Sequence, residues 1–359
     1  MIRVGLVGFG MAGRVFHGPL ISSVPGLELA AVLERNSSNA RNTNNAAQRY
    51  PGITTYRNLE TMLADASLDL FVVATPSGTH FQVARQILEA AKNVIVDKPM
   101  STTSAEIAQL IALASAKSVH LIPFFNRRWD SDFQTIQKLL HEGQLGNVVY
   151  FESRFDRWRP NPPSDRLWKE DPSQGGGVLL DLGTHIADQA LALFGKPEAI
   201  SADILCEREW ARVNDAFTLR LRYPKLTVVL GANCLSSPPR PRFHIRGTKG
   251  NYIKSGLDPQ EAALNKLTRI DDLNWGHELA ANWGMLHVDM DGSMVTRPVA
   301  PIPGDYRLYY AAVRDTLLGK ATAPLPPVEA WRVARLLEWA QESSDQRREI
   351  KCDWREEPN

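Results

Sequence analysis

The stretch IRVGLVGFGMAG, residues Ile2–Gly13, decides the fold. A short apolar run, Ile2–Val7, leads directly into glycines at 8, 10 and 13 and then into an amphipathic segment, so the pattern predicts a strand, a tight loop and a helix. In that setting each glycine has a task. Gly8 permits the turn, Gly10 lets a pyrophosphate approach the backbone, and Gly13 lets helix and strand pack closely, while N–H groups at the helix start hold the anion. Phe9, Met11 and Ala12 lie between the glycines and join them as candidate dinucleotide contacts.

Beyond this stretch, Leu27–Leu33, Leu70–Ala74, Asn93–Val96 and His120–Phe124 read as further short strands. Helical runs such as Gln82, Val83, Ala84, Ile87, Leu88 and Ala91 lie between them. This is the rhythm of parallel βαβ units, and it predicts a doubly wound Rossmann domain over residues 1–123. From 124 to 359 the pattern changes to Val148–Trp158, Ala199–Glu209, Asp215–Cys234 and Arg242–Ser255, read as strands of a large, mostly antiparallel sheet in an α+β domain. Phe217, Leu219, Leu221 and Tyr223 alternate with Thr218, Arg220 and Arg222, giving one buried and one wetter face. Tyr223-Pro224-Lys225 and Gly247-Thr248-Lys249-Gly250 read as hairpin turns. Helices are expected within Pro301–Leu325 and over Val328–Ser343. A sheet with so broad an outer face predicts burial against a second copy, giving a homodimer or homotetramer.

Bulk properties narrow the function. At 359 residues the chain can bury two cores, and 43% hydrophobic with 23% charged residues is a globular composition. Lys plus Arg (41) balances Asp plus Glu (40), so no global field draws the chain to nucleic acid or to an anionic membrane. Cys206, Cys234 and Cys352 form no Cys-x-x-Cys pair, which speaks against a disulfide framework or a structural zinc. The N-terminus lacks the features of a secretory signal, and no apolar run is long enough to span a bilayer. A cytoplasmic enzyme of small molecules is the expectation.

Candidate chemistry follows the strands. Glu34, closing the second strand, suits the adenosine ribose hydroxyls, whereas Arg35 with Asn36, Ser37 and Ser38 suits a 2′-phosphate, so NAD and NADP both stand. Thr75, Pro76 and His80 follow the next strand and border the same cleft. Lys98, in VIVDKPM, stands beyond a strand's carboxyl end, where a cation can stabilise a developing oxygen anion. GGGVLLDLGTHIADQALALFG, Gly175–Gly195, reads as a glycine-rich entry to an amphipathic helix that places Asp181, His185 and Asp188 on one stripe. An imidazole titrating near 6.5 can take a hydroxyl proton, with Asp181 holding the substrate or orienting the ring. Asp and His at this spacing can also ligate a metal, yet no His/Cys cluster completes the set, so no metal is expected. Asn126 and Arg127, where the second domain begins, and Asp156, Arg157, Trp158, Arg166 and Trp168 form a polar and aromatic set suited to a sugar.

Gly8–Gly13 with Phe16-His17-Gly18-Pro19, Ala74–His80 and Asp97-Lys98-Pro99 resemble the glucose-fructose oxidoreductase/inositol dehydrogenase family, Gfo/Idh/MocA. That family usually has Glu-Lys-Pro where this chain has Asp97-Lys98-Pro99. The resemblance implies a catalytic trio of Lys98, Asp181 and His185 acting with NAD or NADP on a CH–OH or carbonyl carbon. Phe125–Phe133 and Gly256–Glu261 resemble the subgroup containing scyllo-inositol dehydrogenases, which implies a sugar, inositol or related polyol as substrate. Two rivals remain: an NAD(P)-binding sensor without turnover, against which Lys98 and His185 count, and a reductase of a non-sugar carbonyl, which an apolar pocket would favour.

Overall fold

The computed structural model describes residues 1–34, 45–162, 170–171, 175–266 and 270–358. Strands β1 (Ile2–Val7), β2 (Leu27–Leu33), β3 (Thr54–Tyr56), β4 (Leu70–Val73), β5 (Asn93–Asp97) and β6 (Leu121–Phe124) form an all-parallel sheet in the order β3-β2-β1-β4-β5-β6. β1, β4 and β6 are buried almost throughout, as apolar strands covered on both faces must be. β6 tolerates Pro123 because it is an edge strand. β3 lies outside the sequence reading: Thr-Thr-Tyr is three residues long, polar and mostly exposed. Strand order reverses between β1 and β4, so the loops after β1, β4 and β5 gather along one carboxyl edge.

The second sheet has nine strands in the order β14-β13-β12-β11-β7-β10-β9-β8-β15. They are β7 (Val148–Asp156), β8 (Ala199–Leu205), β9 (Ala216–Arg222), β10 (Thr227–Asn233), β11 (Phe243–Gly247), β12 (Gly250–Lys254), β13 (Gly284–Met290), β14 (Ser293–Val299) and β15 (Ile350–Lys351). β7 and β10 pair in parallel and the remaining pairs are antiparallel. Both expected hairpins are present, β9 to β10 and β11 to β12.

Helices cover the inner face of this sheet. Thr184–Phe194 buries Ile186, Ala187 and Ala190, and the Phe194 ring meets Phe151 of β7 at 5.1 Å. Pro327–Gln346 packs on β8, on Thr184–Phe194 and on helix Ser104–Lys117 of the first domain. Its Ser343 and Ser344 hydroxyls accept the Ala202 and Ile204 N–H groups of β8, each at 3.0 Å, satisfying edge donors that the two-residue β15 leaves open. Helix Arg307–Leu317 returns to the parallel sheet, where the Tyr309 hydroxyl donates to the Pro123 carbonyl at 3.0 Å.

The turn after β1 is as tight as its glycines imply. Gly8 has φ +102°, and a Cβ at Gly13 would stand 2.2 Å from the Gly8 carbonyl oxygen. Gly13→Ala is therefore expected to cost about 1–3 kcal/mol through overpacking against backbone. Urea unfolding measures this, and an unchanged midpoint would contradict the packing described.

Candidate active site

The cofactor cleft begins at the loop after β1. The chain enters a helix through a widened π segment, Ala12–His17, that continues into the α-helix Gly18–Ser23. A Cβ at Gly10 would meet nothing within 4 Å, so the backbone here lies open to an approaching ligand, while Gly8 and Gly13 are closed by their neighbours. This division of labour fits a pyrophosphate resting on the loop. Phe9 is buried against Tyr50, with ring centroids 6.2 Å apart, and Met11 and Ala12 are half-buried. At the far end of the cleft Glu34 Oε2 accepts the Ala46 N–H at 3.2 Å, and the Glu34 carbonyl accepts from Arg57 at 2.5 Å. Arg57, just past β3, was not singled out from the sequence because β3 itself was unrecognised. Arg35, Arg166 and Trp168 lie outside the described residues.

The turn after β5 carries Lys98. Its ammonium donates to the Asp181 carbonyl at 2.7 Å and to Asp181 Oδ1 at 3.0 Å, joining the first domain to the segment that precedes helix Thr184–Phe194. That segment, Leu179–Gly183, is a second π turn, a distortion that recurs where helices carry functional groups. His185, one turn on, is buried, and its Nδ1 has no partner. Burial, reinforced by the positive charges of Lys98, Arg127 and Arg242, pushes the imidazole well below 6.5 despite the opposing pull of Asp181. The ring is thus a neutral base with a vacant lone pair or N–H, where the sequence alone suggested titration near neutrality. Asp188 does not share the site: its carboxylate is taken by Arg128 at 2.9 and 2.7 Å.

Basic groups cluster around Phe155, at the end of β7. Arg127, Arg157 and Arg242 surround the Phe155 ring, with guanidinium carbons 5.0, 5.9 and 4.1 Å from its centroid. Arg127 is tied to Asp130 at 3.2 Å and to Glu261. Arg242, pulled down to about 10 by burial, donates to Ser153 and, at 2.9 Å, to Gln189. Arg157 is half-buried, and among the described residues its guanidinium has no ion pair or hydrogen bond. Asn126 is buried beside Arg127 at the start of the turn Asn126–Trp129.

Other expected site residues are committed elsewhere. Asp156 accepts from Arg240 at 2.7 Å and from Asn233 at 3.2 Å, and its side chain is fully buried, so it braces the strand ends. Trp158 is 60% exposed and bridges to Leu235 on the surface. His80 faces main-chain carbonyls with both ring nitrogens and offers the cofactor no free polar atom. Thr75 and Pro76 are half-buried at the end of β4, where Thr75 Oγ1 accepts from Thr79 at 2.7 Å. Among the described residues no group of three or more His, Cys, Asp or Glu side chains could hold a metal ion, and no helix is long and apolar enough to cross a membrane.

Comparison with known proteins agrees with this architecture. Residues 2–125 match the model of the oxidoreductase family, NAD-binding Rossmann fold, and residues 137–352 match that of the oxidoreductase family, C-terminal alpha/beta domain, both of the Gfo/Idh/MocA group. The chain is 40% identical to the uncharacterized oxidoreductase YdgJ of Escherichia coli, covering 96% of this chain and 97% of that protein. It is 34% identical to the scyllo-inositol 2-dehydrogenase (NADP(+)) IolW of Bacillus subtilis, covering 98% and 96%. The structure of yvaA from Bacillus subtilis superposes with a TM-score of 0.92 at 32% identity, over 98% of this chain and 99% of that one.

Two outcomes follow from the geometry. Gly10→Ala is expected to leave stability within about 0.5 kcal/mol while weakening nicotinamide-dinucleotide binding, read by calorimetry; equal affinity would remove the loop from the cofactor site. His185 sets an acid limb: below pH 6.5 the unfolded chain takes a proton that the folded site refuses, so stability falls as pH falls. Wild type should lose about 2 kcal/mol relative to His185→Gln between about pH 8 and about pH 5. Parallel stability curves for the two proteins would contradict a neutral buried ring.

Proposed function

We propose, since this chain belongs to the Gfo/Idh/MocA oxidoreductase family, that it is an NAD(P)-dependent dehydrogenase acting on the CH–OH or carbonyl carbon of a sugar, inositol or related polyol. The observation that carries the reading is the Lys98–Asp181 contact at the carboxyl edge of the parallel sheet, near enough to the buried, unpaired His185 ring that both charges act on it. His185 accepts the hydroxyl proton, Lys98 stabilises the developing negative oxygen, and Asp181 orients both the ammonium and the alcohol. The nicotinamide, when bound, supplies the two-electron chemistry by taking or giving a hydride. The Gly8–Gly13 loop would hold the pyrophosphate, with Glu34 at the ribose. Arg127 and Arg157 suit hydroxyl-rich ligands because a guanidinium offers several donors in fixed geometry. Similarity to an NADP-dependent inositol dehydrogenase supports a cyclic polyol. No step here calls for a metal.

The open face of the nine-stranded sheet also has a role in this proposal. Met285, Ile253, His244, Glu152, Val229, Arg220 and Ser201 pair across neighbouring strands in one continuous outward row. Its mixture of exposed and half-buried apolar and polar groups suits an interface with a second copy. Light scattering at micromolar concentration should report a dimer or tetramer, and a monomer would sink that part.

Activity is tested by nicotinamide absorbance with NAD⁺ and NADP⁺ in parallel against inositols and aldoses, before and after exhaustive chelation. Lys98→Ala and His185→Ala should each lower kcat/KM by about 10²–10⁴, and chelation should change nothing. Tight cofactor binding with no turnover across the panel would favour the sensor reading.

A further inference from the structure

Two buried histidines flank the turn that carries Lys98, and the scheme above uses neither. His17 is fully buried in the π segment after the glycine loop. Its Nδ1 lies 2.6 Å from the hydroxyl of Tyr310, in helix Arg307–Leu317. Its Nε2 faces Asp97 Oδ2 at 3.6 Å and has no other polar partner. Burial pushes the ionisation of Tyr310 far up, so the hydroxyl keeps its proton and can donate to Nδ1. With Nδ1 accepting, a neutral ring must carry its hydrogen on Nε2, directed at Asp97. The other Asp97 oxygen, Oδ1, accepts the backbone N–H of Lys98 at 2.8 Å. Burial alone would raise the Asp97 carboxyl; His17 and Lys98 outweigh it and hold the group below its ordinary value.

His80 grips the other end of the turn. Also buried, it places Nδ1 2.7 Å from the Pro99 carbonyl and Nε2 2.8 Å from the Thr75 carbonyl. Both partners are acceptors, so as an imidazolium the ring donates to both and ties the end of β4 to the residue after Lys98, whereas as a neutral ring it donates to one and packs between them.

We infer that His17 and His80 are positioning residues that fix the Asp97-Lys98-Pro99 turn from both sides and thereby aim the Lys98 ammonium. The inference rests on the proposed role of Lys98. A lysine stem has several rotatable bonds, so its head is placed only if its backbone is fixed and its far end is met. The far end is met by Asp181, and the backbone is held through Asp97 on one side and Pro99 on the other. An apolar residue at 17 would fill the space but leave the Asp97 carboxylate without the N–H that faces it. The chain motifs Phe16-His17-Gly18-Pro19 and Ala74–His80 thus serve the same lysine from two directions.

The test combines a chemical and a kinetic readout in the full-length protein. Lysines are acylated with acetic anhydride and the rate at Lys98 is read by mass spectrometry against Lys138, an exposed internal control. Tyr310→Phe, which removes one oxygen and keeps the ring, His17→Leu, His17→Gln and His80→Leu are compared with wild type. Tyr310→Phe, His17→Leu and His80→Leu are expected to raise Lys98 labelling severalfold. They should lower kcat by about 10-fold to 100-fold with KM changed less than about threefold, the signature of a misplaced catalytic group. His17→Gln, which retains an N–H for Asp97, should recover most of the loss. Should His17→Leu fail to fold, Tyr310→Phe still decides. A folded Tyr310→Phe with wild-type kcat and wild-type Lys98 labelling would overturn the inference. Lys98→Ala run alongside separates the two ideas: if that variant turns over normally the catalytic reading of Lys98 fails, and labelling alone then judges the clamp.

Discussion

Two segments 83 positions apart meet at the Lys98 ammonium, which donates to both the carbonyl and the carboxylate of Asp181. Much of the site's geometry depends on that contact. The Asp181 segment cannot withdraw without giving up a carbonyl and a carboxylate contact to the lysine at once, and the lysine cannot withdraw without leaving a partly buried charge short of both acceptors. Removing one partner of such a pair costs far more than the intact pair contributes, because the remaining charge loses both its water and its counter-ion. The π turn at Leu179–Gly183 belongs to the same constraint, since it sits where the helix presents Asp181 to the lysine.

The frame around this contact is closed by the end of the chain. Helix Arg307–Leu317 brings Tyr309 and Tyr310 against Phe124 and His17, and Pro327–Gln346 lies on both the first domain and the edge of the second sheet. The last elements in sequence therefore pack against the first, and the turn bearing Lys98 is held by residues from both. The sequence pattern separates the chain into two sheets, whereas the side-chain contacts weave them together.

How much was legible follows from the range of each signal. The strand, loop and helix at Ile2–Gly13 could be read because three glycines and an apolar run are local, and Lys98, Asp181 and His185 because each sits at a marked strand or helix boundary. β13 and β14 were missed although Asp291-Gly292, with φ +53° and +85°, is a two-residue hairpin turn of the kind an Asp-Gly pair announces. Exposed Met285, Met290 and Met294 blurred the alternation there. The expectation for Asp188 rested on its helical stripe with His185, but both of its oxygens are taken by Arg128, a contact from outside the helix. Asp156 and Trp158 looked like pocket residues by type, and only tertiary contacts show one bracing Arg240 and the other lying on the surface. The pairing of His17 with Tyr310 spans 293 positions, and no pattern in a single sequence encodes it.

The electrostatics of the cleft reconcile two demands that seem opposed. In the reaction we propose, His185 must be unprotonated to act as the base, and burial with Lys98, Arg127 and Arg242 nearby keeps it so. The same shift makes the imidazole a weaker proton acceptor, which by itself would slow removal of a hydroxyl proton. Those cations, however, also lower the energy of the alkoxide that forms when the proton leaves, because its negative oxygen develops in the same field. Both members of the proton transfer move in the same direction, so the difference between them is largely preserved. In that proposal the positive field holds His185 ready without disabling it, and Asp181 tempers the field by pairing with Lys98 until an oxygen anion competes for it.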